Sequence, residues 1–166
     1  MDDEDYIAYV KARWTSLVRA AVLLGGSRPE AEDVVQTALI RCYLSWDKVQ
    51  RADSPDAYVY RVLVNCFSKS RRRHWWGELP TADLPEPRME LNGPDLADDA
   101  VTKATVRAAL AELSEPHRTV VVLRFFADLS EREVADIVGV PVGTVKSRLS
   151  RALDQLSRHL EPSDLP

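Results

Sequence analysis

Apolar residues recur at three- and four-residue steps over two long stretches of this chain, and each stretch reads as a set of amphipathic helices. In the first, Ile7, Val10, Trp14, Leu17, Val18, Ala21 and Leu24 share one helical face, and Gly25-Gly26 ends the run. Ser27 opens a second helix with Glu30 three residues on, the spacing of a capping box. Its stripe is Ala31, Val34, Val35, Ala38, Leu39, Cys42 and Trp46. Asp53-Ser54-Pro55 starts a third helix, with Pro55 in the first turn, where a missing N–H costs nothing. Its pattern buries Tyr58, Val62 and Cys66, with Val59 and Leu63 as further candidates, and runs into Lys69, Arg71, Arg72, Arg73, His74, Trp75 and Trp76.

The second stretch predicts a helix near 99–112, another from Ser114 to about Ala127, and then two helices joined by a tight turn. Val120–Val122 could suggest a strand, but the triplet sits in a helical pattern that continues through Leu123 and Phe126, so no strand is expected. Between the stretches, residues 77–98 contain Pro80, Pro85, Pro87 and Pro94 with Gly93 and keep no apolar periodicity, which marks a linker. The expected fold is therefore all-α, with two small helical domains at 1–76 and 99–166.

Ser130 to Leu160 has the layout of a helix-turn-helix. Ser130 and Glu133 form a second capping box, Val134, Ala135, Ile137 and Val138 give a short apolar face, and Gly139-Val140-Pro141-Val142-Gly143 is the turn. On the final helix, from about Val142 to Leu160, Val145, Leu149, Ala152, Leu153, Leu156 and Leu160 gather on one side at about 100° per residue. Ser147 and Arg151 point nearly opposite, Thr144 and Ser150 lie beside them, and Lys146 and Arg148 sit on the flanks. Short donors and an arginine aimed outward, with cations at the sides, suit base edges flanked by phosphates. Periodicity alone would equally suit a solvated helix closing a bundle; the capped preceding helix and the turn favour DNA.

The net charge of −4 argues against a nucleic-acid binder only until it is divided along the chain. Residues 1–75 carry 12 basic and 10 acidic side chains, residues 76–98 one and six, and residues 99–166 nine and ten. The linker alone exceeds the whole acidic surplus, and each flanking block keeps a basic cluster. Cys42 and Cys66 lack metal-ligand spacing and read as buried, reduced thiols. His74, His117 and His159 are scattered, no phosphate loop is present, and neither catalysis, a metal nor a cofactor is expected. No apolar run nears the roughly 20 residues of a membrane span. MDDEDYIAYVK has no apolar signal core, so a cytoplasmic location is expected.

SEREVADIVGVPVGTVKSRLSRALDQL resembles region 4 of the extracytoplasmic-function (ECF) sigma factors of the sigma-70 family, in which GTVKSRLSRA is a specific piece. AEDVVQTALIRCY resembles region 2.2, and SPDAYVYRVLVNCFSKSRRRHWW resembles regions 2.3 and 2.4, closest to an actinomycete-type subgroup. The resemblance covers nearly the whole chain. It implies a region 2 bundle and a region 4 helix-turn-helix joined by a flexible acidic linker, and a factor that binds core RNA polymerase, recognises promoter DNA and aids strand opening. It places Asp33 and Gln36 against the polymerase clamp, with Ile40 and Leu44 as exposed apolar anchors beside them. It matches Asn65 to the family's helix-three asparagine and puts the base-capturing loop at Lys48 to Asp56. Arg71, Arg72, Arg73, Trp75 and Trp76 then form a basic and aromatic surface for the minus-ten element, and Thr144, Lys146, Ser147, Arg148, Ser150 and Arg151 one for the minus-thirty-five element. Tyr58 stands where many members have tryptophan and Lys69 where many have aspartate, so no base contact is carried over to them. An anti-sigma factor is a further partner that the resemblance leads one to expect. The competing class is a stand-alone helix-turn-helix regulator that binds an operator as a dimer; the region 2.2 match argues against it. A module that merely sequesters a partner is opposed by the outer face of the last helix.

Overall fold

In a computed structural model, residues 3–75 and 97–160 are described, with side chains over 3–73 and 102–160. All regular structure among them is helical: α1 (Asp3–Leu23), α2 (Arg28–Leu44), α3 (Trp46–Arg51), α4 (Pro55–Trp75), α5 (Ala97–Ala111), α6 (Glu115–Val121) running into a π-helical turn (Val122–Phe126), α7 (Glu131–Val138) and α8 (Val142–Leu160). The Trp75 side chain, Trp76 and most of the linker lie outside the described residues.

Both capping boxes form. The Ser27 hydroxyl accepts from the Glu30 N–H at 3.3 Å while Glu30 reaches back to the Ser27 N–H at 3.4 Å. Ser130 and Glu133 repeat the exchange at 3.1 and 3.3 Å. These pairs satisfy N–H groups that the first helical turn leaves without partners. Alanines at 20, 21, 31 and 38 are all buried, so α1 and α2 can approach closely around Leu17, Val34, Val35 and Leu39.

Two expectations need correction. Trp46 does not continue the α2 stripe. The backbone turns at Ser45 (φ −126, ψ 30), and Trp46 starts α3, wedged edge-on against Tyr6 and Tyr9 at 5.3 and 5.5 Å. With Val49 also buried, α3 has an apolar anchor of its own, and the loop expected from Lys48 to Asp56 shrinks to residues 52–54 between α3 and α4. The buried face of α4 is also turned: Val59, Tyr60, Leu63, Cys66 and Phe67 fill the core, whereas Tyr58 and Val62 are only half-buried. The contacts of α4 decide this, since it packs on α2 as well as α1 and α3.

The two halves do not stand apart. Buried side chains from both form one continuous cluster, with α7 against α4 and α1 against α5 and the π turn. Polar contacts stitch the same boundary. The Arg61 guanidinium donates to the Asp136 carbonyl at 3.4 Å, and Arg118 donates across to the Leu24 carbonyl at 3.2 Å. The Ser54 hydroxyl, which accepts the Ala57 N–H at the start of α4, also hydrogen-bonds Glu133 of α7. Tyr9 donates to Asp56 at 2.7 Å and Arg13 pairs with the same carboxylate at 2.9 Å, fastening the start of α4 to α1.

Candidate nucleic-acid interface

The outward face of α2 carries Asp33, Gln36, Thr37, Ile40 and Leu44, spaced to lie along one side of the helix. Ile40 is 60% exposed and Leu44 75%, although α2 has a full apolar core face elsewhere. Two large aliphatics in one exposed stripe, edged by a carboxylate and an amide, have the composition of a docking surface. Asp33 and Gln36 are both exposed beside them, as expected.

Because α4 is turned, Tyr58, Val62, Asn65, Lys69 and Arg72 line a cleft of about 480 Å³, closed on the α2 side by Arg41 and Ser45. The three cations, one aromatic ring and one amide are the groups that hold a single strand: cations track phosphates, the ring accepts a stacked base, and the amide can pair with a base edge. The periodicity of α4 does not reveal this cleft, because it assigns Tyr58 and Val62 to the core. Their three- and four-residue spacing to Asn65 and Lys69 is the signal present in the sequence.

The basic run at the end of α4 divides. Arg72 and Arg73 are exposed. Arg71 is folded back: its guanidinium lies 5.1 Å from the centre of the Phe67 ring, hydrogen-bonds the Gly25 carbonyl and sits 4.0 Å from Glu30. The Arg71 guanidinium is thus engaged at the end of α1, whereas Arg72 and Arg73 are not held in this way.

In the second half, the helix-turn-helix forms as expected. Gly139 takes φ +74, so the α7 C-cap needs the left-handed backbone that glycine adopts without strain, while a Cβ there would meet nothing within 4 Å. The Pro141 carbonyl accepts the N–H groups of Thr144 and Val145 as α8 begins. Val145, Leu149 and Ala152 are buried and Leu156 is half-buried, but Leu153 and Leu160 are exposed, so the core stripe of α8 is narrower than expected. Leu153 lies off the side that packs, since Leu156 and Gln155 beyond it still meet the core and the Glu112 carbonyl just after α5, whereas Leu160 is at the free end of the helix. Arg151, Ser147, Ser150 and Lys146 are exposed; Thr144 and Arg148 are half-buried. The Ser147 hydroxyl donates to the Gly143 carbonyl at 3.0 Å, which leaves its oxygen lone pairs to face outward. Lys146 lies 4.0 Å from Glu131 of α7, a loose, exposed pair that a phosphate can displace.

Burial pushes the Glu133 carboxyl up, but hydrogen bonds from the Ser130 hydroxyl and N–H and from Ser54 outweigh it and hold the group below the usual carboxylate range. Burial, with Cys66 beside it, raises the Cys42 thiol to about 12, so it stays protonated, and both cysteines are free and buried. Among the described residues no cluster of His, Cys, Asp and Glu could hold a metal, and no helix is long and apolar enough to cross a membrane. One apolar surface has no counterpart among the sequence expectations. Phe125 (52% exposed) and Phe126 (42%) project from the π turn, where the extra residue per turn rotates them off the buried face of Val122 and Leu123.

Residues 11–77 match the family model for Sigma-70 region 2, and residues 103–156 the model for Sigma-70, region 4. The RNA polymerase sigma-E factor of Streptomyces avermitilis is 36% identical over 166 residues, covering 97% of this chain and 88% of its own. The ECF RNA polymerase sigma factor SigW of Bacillus subtilis is 29% identical over 145 residues, covering 81% and 78%. Among solved structures, the sigma factor RpoE of Bartonella quintana, in complex with the anti-sigma factor NepR, aligns with a TM-score of 0.72 at 25% identity, over 98% of this chain and 99% of that one. CnrH in complex with the cytosolic domain of CnrY aligns with a TM-score of 0.69 at 22% identity, over 98% and 92%. With both region models in order, a relative at this identity over nearly its full length, and the stripe, cleft and helix-turn-helix on the surfaces just described, the chain belongs to the sigma-70 family of RNA polymerase sigma factors, in its ECF group.

Proposed function

We propose that this sigma factor acts in the cytoplasm with three surfaces. The α2 stripe of Asp33, Gln36, Ile40 and Leu44 docks on core RNA polymerase. The α4 cleft, through Tyr58, Asn65, Lys69 and Arg72, takes the separated strand of the minus-ten element, with Arg73 beside it. The face of α8 reads the minus-thirty-five element, Arg151 and Ser147 at base edges with Ser150 and Thr144, and Lys146 and Arg148 at phosphates. Trp75 and Trp76 are assigned to the minus-ten element on the resemblance of their sequence alone. The domain division follows: 1–76 for polymerase and minus-ten, 99–166 for minus-thirty-five, 77–98 between.

The observation that carries this reading is the adjacency on the first half. Arg41 lies between Ile40 and Leu44 in sequence and lines the strand cleft of α4. A polymerase-docking stripe thus borders a strand-binding cleft, an arrangement that a stand-alone operator binder does not need. Separating strands requires no bond chemistry from the protein, only groups that bind an unpaired strand better than a duplex.

Reading both promoter elements also requires movement. Elements about 25 base pairs apart lie about 85 Å apart at ~3.4 Å per step, whereas a packed chain of this size has a radius of gyration of about 15 Å. The two halves must therefore part when both elements are engaged. An anti-sigma factor that kept them together would be an inhibitor; one similar solved structure contains the anti-sigma factor NepR and another the cytosolic domain of CnrY.

The test is transcription in vitro from a promoter library, with core polymerase and the purified full chain. Promoter-specific transcripts that depend on the chain are expected. Dimeric binding to duplex DNA without polymerase, and no transcripts, would overturn the reading in favour of a stand-alone regulator.

A further inference from the structure

An open cleft lies where the two halves meet. It has a volume of about 840 Å³ and four arginines in its wall: Arg71 and Arg72 from α4, Arg107 from α5 and Arg118 from α6. Among the described residues, the one acidic side chain in the wall is Glu115, with Glu30 nearby at 4.0 Å from Arg71. The volume falls within the usual range of small-molecule sites, about 300–1,000 Å³.

The four arginines are of two kinds. Arg71 and Arg118 are spent on the backbone. Arg118 donates to the Leu24, Leu110, Ala111 and Leu113 carbonyls and Arg71 to that of Gly25, so together they cap the C-terminal ends of α1 and α5. They converge on one point: a Cβ on Gly25, itself at φ +119, would sit 3.1 Å from one guanidinium and 3.2 Å from the other. Arg72 and Arg107 make no hydrogen bond or ion pair among the described residues, and both are exposed on the cleft. One comes from each half of the chain. A wall of Val22, Leu23 and Phe67 supplies apolar surface next to them.

We propose that this junction cleft is a binding site for a free multivalent phosphate, the group carried by nucleoside polyphosphates and inorganic polyphosphate, gripped by Arg72 from the first half and Arg107 from the second. Guanidinium forks match phosphate oxygens in pairs, and four guanidiniums against Glu115 in the wall and Glu30 beside Arg71 leave an excess of two positive charges. Two cations already held by carbonyls keep their charge directed at the same volume without having to move. A ligand touching both halves binds the packed arrangement and loses half its contacts when the halves part, so it holds them together by linkage. This site is separate from the promoter surfaces except for Arg72, which it shares with the strand cleft.

The experiment is calorimetric titration of the full chain at low salt with tripolyphosphate, ATP, inorganic phosphate and a short single-stranded oligonucleotide. Tripolyphosphate and ATP should bind, single phosphate far more weakly. Arg107→Glu should weaken tripolyphosphate by about tenfold or more, and Arg107→Gln and Arg72→Gln each by a smaller factor. Arg132→Glu, an equal charge change on the exposed side of α7, should leave it unaltered. Circular dichroism confirms folding, and Arg107→Gln carries the test if the reversal disturbs it. Equal losses in Arg107→Glu and Arg132→Glu would reduce the effect to diffuse charge and overturn the site. So would binding indifferent to Arg107, or Arg107-dependent binding of the oligonucleotide alone, which would make the cleft part of the DNA path.

Discussion

Truncating the exposed stripe of α2 gives the sharpest test of the polymerase surface. Fully burying an aliphatic side chain of this size is worth about 1.5–3 kcal/mol. Leu44 is 75% exposed and Ile40 60%, so covering what is now open recovers most of that at Leu44 and somewhat over half at Ile40. Ile40→Ala with Leu44→Ala should therefore cost about 2–4 kcal/mol of binding if the stripe is fully covered, a roughly 30- to 850-fold rise in Kd. Neither side chain belongs to the core cluster, so folding stability should stay within about 0.5 kcal/mol of the parent. Asp33→Ala with Gln36→Ala should weaken the complex less, because rim polar groups in solvent contribute little. Competition titration of labelled protein against core polymerase measures the affinity, and urea unfolding measures the stability. An unchanged Kd for the double aliphatic variant would refute the docking assignment. A loss of stability matching the loss of affinity would show that the two residues support the fold instead.

Three more outcomes are expected. Tyr58→Ala should reduce open-complex formation, read by permanganate reactivity of the promoter bubble, by an amount equivalent to about 1–3 kcal/mol of stacking, while Tyr58→Phe retains it; equal defects in the two variants would remove the stacking role. Arg151→Ala should flatten base preference at one or two minus-thirty-five positions by about 1–3 kcal/mol, whereas Lys146→Ala should weaken all sequences alike and lower the salt slope by about one unit; binding over single-base promoter variants at two salt concentrations separates them, and reversed behaviour would mean that α8 sits rotated in the groove. The lowered Glu133 carboxyl contributes stability that is complete above the usual glutamate range near 4.5 and disappears as pH falls through the lower folded value, so Glu133→Gln should flatten that limb of a stability–pH curve; an unaltered limb would show that the bonds from Ser130 and Ser54 do not act on the ionised form.

Local features are legible in the order of residues alone. The helical periods, the boxes at Ser27–Glu30 and Ser130–Glu133, and the glycine at the α7 C-cap all depend on neighbours within about four residues, and the observed helices honour them. Exposure of Ile40 and Leu44 is also readable, since a 17-residue helix that already has a complete apolar stripe has no inner position left for them. Family-specific runs carry the rest of the functional reading.

What the sequence by itself determined is which long segments are helical and where the capped ones begin; these follow from hydrogen bonding and periodicity within each helix, whereas α3 and the π turn escaped it. Only the tertiary structure decided which way a helix with apolar residues on more than one side turns. Val59 and Leu63 won the core of α4 over Tyr58 and Val62 because α2 and α3 approach from that direction, and this turn created the cleft lined by Tyr58, Asn65 and Lys69. It likewise decided that Arg71 faces Phe67 and Gly25 and not solvent, that the π turn throws Phe125 and Phe126 outward, and that the two halves share one core. Each of these depends on surfaces brought together from dozens of residues away, where a linear pattern records the hydrophobicity of a side chain but not the direction from which its partner comes.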